Sequence, residues 1–370
     1  MNTLLAAVTV LLGVAMQEAV GPLPEPSEVS KRAAAMVDAE RLMGLVRTLP
    51  TKRAAAGDAD DAAGLEATER LLVGRLKGLG LTPRFHEFAW NSPARNLGRP
   101  EGQPDAKPDG KPDGKPDARP VLYRNIIVDF TGTGRPEEVL VVSAHIDAVL
   151  GSPGADDDAS GVAGVMELAR ILQQVGPGSR TIRLVLFNLE EVGLVGSRAY
   201  VSSWLKEQRE KTPVEGGVVG GHAKAERIVG MISLEMIGYF TDAPGSQKSP
   251  IQRIEGVFEP STVGDTIAVV GVKAHQGFSR PLIALMKAHA PDLKTTDADF
   301  MPVPIPDMMR SDHGPFIIAG RPAVMITDTA NFRNPHYHRA TDTAQTLDVK
   351  RFTLVVQGVV GAVRRLADEP

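Results

Sequence analysis

Along the second half of the chain, short apolar runs alternate with longer stretches in which apolar positions recur at helical spacing. The runs Asn125 to Phe130, Val139 to Ala144, Ile182 to Phe187, Ile228 to Leu234, Thr266 to Val270 and Ala323 to Thr327 read as buried strands. Between and after them, Val162 to Gln173, Ser197 to Gln208, Ser279 to His289 and Val349 to Leu366 carry one apolar face each and read as helices. Upstream, a helix is expected from Glu28 to about Arg47. A second should run from about Ala62 to Leu79, closed by Gly78-Leu79-Gly80. Strands separated by helices imply an α/β chain, a mostly parallel mixed sheet sandwiched by helices. Such sheets bind ligands beyond the carboxyl ends of their strands.

Two segments fall outside this alternation. Thr3 to Met16 is an apolar run too short to span a bilayer comfortably, and it reads as a signal-peptide core over residues 1–20. That predicts a secreted or periplasmic protein, with an uncleaved N-terminal anchor as the one expected membrane contact. Residues 100–119 repeat Lys-Pro-Asp-Gly units that break helix and sheet and offer nothing to a core, so they are expected to form a disordered insertion in a single domain over 21–370.

Composition narrows the chemistry. The 370 residues carry a net charge of −4, with Lys and Arg scattered, so no basic stripe marks a nucleic-acid or anionic-membrane partner. Nothing in the sequence sets an oligomeric state. There is no cysteine, which removes disulfides, thiolate metal sites and thiol nucleophiles together. Any metal must be held by His, Asp and Glu.

Such residues gather at the ends of the expected strands. Val139 to Ala144 leads into His145-Ile146-Asp147 and then Asp156-Asp157-Asp158. His145 can bind a divalent ion, Asp147 can hold its other ring nitrogen, and Asp157 can offer two oxygens to one ion or two. The strand ending near Asn188 delivers Glu190-Glu191, that ending at Leu234 delivers Glu235, and that ending at Thr327 leads toward Tyr337-His338. Each group alone has an ordinary structural explanation. Their arrival at one edge of one sheet is better explained by a site.

These residues resemble the zinc aminopeptidases of peptidase family M28 (clan MH). The matching stretches are Ala144 to Asp147, Gly154 to Val162, Glu190 to Ser197, Ser233 to Gly238, Arg310 to His313 and Tyr337-His338, in the family's order. The resemblance covers about residues 35 to 365 apart from the insertion, and implies the zinc-dependent exopeptidase (phosphorylase/hydrolase-like) fold. It further implies two zinc ions, one held by His145, a bridging Asp157 and Glu235, the other by Asp157, Glu191 and His338. Glu190 would be the general base, Tyr337 would stabilise the oxyanion, Arg310 would contact substrate carbonyls, and the substrate would be a peptide with a free N-terminus. One departure stands out: many members carry Asp where this chain has Glu235. Two rivals share the fold, a single-zinc glutaminyl cyclase and a non-enzymatic homologue with a decayed site. The presence of both histidines and of both acids at 190 and 191 favours hydrolysis.

Overall fold

The computed structural model describes residues 23–55, 57–91, 121–211 and 225–368. The expected signal segment and the insertion at 100–119 lie outside these residues. The single helix expected from Glu28 is two, α1 (Glu28–Ala35) and α2 (Ala39–Val46). Asp38 separates them: its extended backbone lets its carboxylate accept from the Glu40 and Arg41 amides, while its own N–H donates to Glu167 (3.0 Å). Next come α3 (Ala59–Gly78), β1 (Arg84–Trp90), β2 (Val121–Phe130), β3 (Arg135–His145), α4 (Ala159–Val175), β4 (Arg180–Phe187) and α5 (Val195–Lys211). They are followed by β5 (Arg227–Leu234), β6 (Ile267–Val270), α6 (Gln276–His289), β7 (Thr295–Ala298), α7 (His313–Ile318), β8 (Ala323–Thr327) and α8 (Val349–Leu366).

The eight strands form one sheet in the order β1-β2-β4-β3-β5-β8-β6-β7. Its centre, β4-β3-β5-β8, is parallel throughout. The flanks are where the direction changes: β1 and β2 join antiparallel on one side, and β6 runs antiparallel to β8 on the other. The expected mostly parallel mixed sheet is thus present, with its parallel part at the centre. Unexpected are β1, which buries only Phe88, and β7, which reads Thr-Thr-Asp-Ala. Edge strands with so little apolar content leave no run to recognise.

Helices cover the two faces unequally. The larger core joins one face to α2, α4, α6 and α8, through residues such as Leu168, Met286, Phe352 and Val359. The other face, over β3, β4 and β5, packs against α5 and α7 through Tyr200, Trp204 and Phe316. Among the described residues no helix is long and apolar enough to cross a membrane.

Candidate metal centre

Parallel register delivers the site. His145 pairs with Phe187, and the Ile146 N–H donates to the Phe187 carbonyl (2.9 Å), so the chain leaving β3 runs beside the chain leaving β4. On the other flank, Glu235 follows Leu234, its N–H bonded to Ile326 of β8 (2.9 Å). Adjacent strands lie about 4.8 Å apart. Three strand ends therefore converge on His145, and His338, from the segment after β8, closes the group.

Asp157 stands in the middle. Its Oδ1 lies 3.0 Å from His145 Nε2 and its Oδ2 lies 3.2 Å from His338 Nε2. His145 Nε2 is also 3.3 Å from Glu235 Oε1, and His338 Nε2 is 3.3 Å from Glu191 Oε2. The two oxygens of one carboxylate thus address two half-sites, each with an imidazole and a second acid. Ligand atoms of His145, Glu190 and Glu235, and of His145, Asp157 and Glu191, lie within 4.8 Å of one another. Glu235 reaches because its longer side chain is held from behind: Ser311 Oγ donates to its Oε2 (2.9 Å), and Ser233 Oγ lies 3.0 Å from Ser311 Oγ.

Buried backbone holds this geometry. Asp158 caps α4 through the Gly161 amide and accepts the His145 N–H, both at 3.0 Å, tying strand end to helix start. Gly161 is required there, since a Cβ would sit 2.2 Å from the Leu234 carbonyl oxygen. Asp342 accepts the amides of Asp156 (2.9 Å) and Asp157 (3.2 Å). Beneath the loop, the buried guanidinium of Arg53 donates to the carbonyls of Ile146, Pro153, Gly154 and Pro50 at 2.5–3.0 Å. Asp147 faces the other ring nitrogen of His145 and has a second task besides. The His145 Nδ1 bond runs to the Asp147 backbone carbonyl (3.1 Å), and the carboxylate, 3.5 Å from that nitrogen, accepts the amides of Glu190 (3.1 Å) and Glu191 (3.2 Å).

Electrostatically the cluster is short of positive charge. Burial first, and then Glu235, push the Glu190 carboxyl well above its ordinary range. Burial and Asp157 raise Glu191 to about 7. Burial opposes charge on His338, yet Asp157 and Glu191 lift it to about 10. Glu191 Oε1 is buried and makes no hydrogen bond. Convergent nitrogen and carboxylate donors with unused lone pairs and surplus negative charge fit a divalent metal ion. At the rim, Tyr337 stacks on the His338 ring with centroids 3.7 Å apart, and Arg310 Nη2 donates to its hydroxyl (3.1 Å). Burial and the acids around it push the Tyr337 phenol well above its usual value.

Sequence reasoning missed Asp158, Asp342, Ser311 and Arg53. Asp158 had a readable signal, an acid directly before a helical pattern. Arg53 had none, because backbone carbonyls, its only acceptors here, leave no mark in a sequence.

Known proteins resemble this chain in sequence and in fold. In Escherichia coli, the uncharacterized protein YfbL is 36% identical over 248 residues, 64% of this chain and 69% of that protein. A probable zinc metalloprotease of Leptosphaeria maculans is 30% identical over 237 residues, 60% of this chain and 51% of that protein, so the match spans about half its length. Among solved structures, the aminopeptidase of Aneurinibacillus sp. strain AM-1 superimposes with a TM-score of 0.60 at 18% identity, covering 92% of this chain and 96% of that one. Fimbriiglobus ruber glutaminyl cyclase gives 0.58 at 18% identity, covering 89% and 95%. Those two likenesses speak for the fold. The profile of peptidase family M28 matches residues 125–363, from β2 into α8 and across every residue of the acid–histidine cluster, and the chain belongs to that family.

Proposed function

We propose that this chain is an exported zinc-dependent aminopeptidase, a hydrolase that removes the N-terminal residue of a peptide and works with two zinc ions. The observation that carries this reading is the division of Asp157 between His145 and His338. His145, Asp157 and Glu235 would hold one ion, and Asp157, Glu191 and His338 the other. Bound there, the ions supply Lewis acidity, polarising the scissile carbonyl and making water acidic at neutral pH.

The chain's own groups do the rest. Glu190 lies beside the ligands with its backbone anchored on Asp147, and as general base it takes a proton from the attacking water and passes it to the leaving amine. Because Arg310 donates to the Tyr337 oxygen, the phenolic proton stays available for the oxyanion that develops on the carbonyl. Glu190 and Glu235 offset the charge of a substrate ammonium, so the free N-terminus is part of what is recognised. Export rests on the apolar run at Thr3 to Met16.

Glutaminyl cyclase is the second reading, favoured by the shared fold. Assaying the zinc-loaded protein with free and N-acetylated peptides separates the two. Residue-by-residue release from free N-termini, with acetylated peptides left intact, is expected. Equal cleavage of both sets would mean an endopeptidase or carboxypeptidase. Ammonia release from N-terminal glutamine without hydrolysis would mean the cyclase.

A further inference from the structure

Three arginines far apart in the chain meet at the sheet edge opposite the metal centre. Parallel register sets Arg135 of β3 beside Arg180 of β4, and Glu138 of β3 beside Arg227 of β5. The Glu138 carboxylate takes all three guanidinium groups, Arg227 at 2.5 Å, Arg180 at 2.6 Å and Arg135 at 3.3 Å. Burial opposes charge on Glu138, yet Arg180 and Arg227 hold its carboxyl below the ordinary range. With the neighbouring Glu137 counted as well, three cations face two acids. From Arg180 to Phe187, which pairs with His145, β4 takes seven steps of about 3.3 Å, so roughly 20 Å separates this edge from the metal centre.

A cavity of about 360 Å³ opens beside the cluster, between the start of α6 and the end of α8. Arg180, Arg227 and His275 line it, with Val229, Phe278, Pro322 and Leu366 as its apolar wall. Arg180 is held in place by Glu138 and by the Leu366 carbonyl, to which its Nη1 donates (2.8 Å). Arg227 spends Nη2 on Glu138 and keeps its other donors on a side chain that is 62% exposed. His275 sits directly before α6, where a capping side chain would accept a backbone N–H, and makes no such bond. Its Nδ1 is buried without a hydrogen bond, which puts the ring proton on Nε2. Burial, and after it Arg321, lower the His275 pKa, so at pH 7 the ring is neutral and offers a single N–H. Cations and a donor beside an apolar wall fit an anion that carries an apolar body.

We propose that this cavity is a second binding site, for a small organic anion whose carboxylate or phosphate head meets Arg227, Arg180 and the His275 ring and whose apolar part lies on Val229, Phe278 and Leu366. An uncharged head would leave the guanidinium groups to water, and a bare inorganic ion would leave the apolar wall wet, so the ligand needs both halves. The site goes beyond the peptidase reading. None of its groups belongs to the metal centre, and it stands whichever reaction is catalysed there.

The test is titration of the full zinc-loaded chain with octanoate, octyl phosphate, octanol and inorganic phosphate, read by calorimetry and by the side-chain NMR signals of the histidines. At least one of the two amphiphilic anions should bind saturably, shift the His275 signals, and bind about tenfold or more tighter than octanol or inorganic phosphate, the weight of one charge-assisted pair or of a few buried methylenes. Arg227→Gln should weaken that anion about tenfold while octanol binding and zinc content stay as in the wild type. His275→Ala should weaken it by a smaller factor, and keeps the test standing if thermal melting shows that Arg227→Gln does not fold. Because carboxylates and phosphates also bind zinc, the His145 and His338 signals report the metal centre separately. Shifts confined to those two rings, with His275 unmoved, overturn the proposal. So does anion binding that no folded variant weakens, and so does octanol or inorganic phosphate binding as tightly as the amphiphilic anions.

Discussion

Two ionic clusters, each built around a buried side chain, sit on the same sheet and are finished in opposite ways. In the first, Arg183 of β4 donates to Asp129 of β2 at 2.6 and 3.2 Å and to Glu226 at 2.9 and 3.0 Å, with the Tyr200 hydroxyl accepting at 3.1 Å. Arg84 adds a second cation on Asp129 (3.0 Å). Burial works against charge on Asp129, but Arg183 and Arg84 hold its carboxyl below the ordinary range. Two cations meet two acids, and the chain supplies both. In the second cluster two imidazoles face Asp157, Glu190, Glu191 and Glu235, and among the described residues no lysine or arginine forms an ion pair with these acids. A buried carboxylate without a partner costs several kcal/mol. What is left open in one cluster and closed in the other separates a place built for a guest from a place built for stability.

Substitutions can break that contrast. The largest effect is expected for Asp157→Ala, which removes the one group shared by both half-sites. Metal analysis should show the protein falling from about two zinc ions per chain to fewer than one, with turnover at background. Two retained ions would mean that Asp157 is not shared. Next is Glu190→Gln, which should keep metal and melting temperature while turnover drops about 10²–10⁴-fold, the usual contribution of proton transfer. A variant that turns over at the wild-type rate would remove Glu190 from the reaction.

Arg183→Met tests the other side. Removing the buried Arg183 leaves Glu226 without its cation and Asp129 with Arg84 alone, and should destabilise the fold by roughly 3–5 kcal/mol in denaturant unfolding, while zinc content stays unchanged. If zinc is lost instead, the two clusters are not independent. The smallest effect concerns His313, buried at the start of α7 with Nε2 bonded to the Met308 carbonyl (2.8 Å). Burial lowers its pKa from 6.5 to about 4. The unfolded chain therefore takes up the proton first, so this contribution is intact above pH 6.5 and lost as pH falls toward 4, by roughly 3 kcal/mol in all. His313→Gln should flatten that part of the stability profile, and an unchanged slope would place the acid sensitivity elsewhere.

Much of the site was legible because a parallel sheet turns strand order into spatial order. His145, Glu190 and Glu235 each follow a buried apolar run, and parallel pairing alone brings such positions to one edge. His338 does not follow its strand directly, and it was found through the Tyr337-His338 motif. Residues whose role depends on the backbone stayed hidden: Arg53 serves carbonyls about a hundred positions away, and the Asp147 carboxylate serves amides. The flank β6-β7 was half seen, since Ile267 to Val270 is apolar throughout while Thr295 to Ala298 is polar and pairs only at the edge. The split between α1 and α2 escaped because Asp38 suits a helical surface as well as it suits a cap.

The distances along the chain between the parts of the metal centre have a consequence for the order in which the enzyme comes into being. Arg53, which underpins the loop of Asp157, precedes that loop and is already synthesised when His145 emerges. His338, by contrast, belongs to the last segment before α8, and it completes the half-site shared by Asp157 and Glu191. Until that segment is made and docks, the growing polypeptide carries three strand ends full of acid and only one of the two imidazoles. Synthesis from the N-terminus therefore builds in a delay: the cluster is complete only when nearly all of the fold is present.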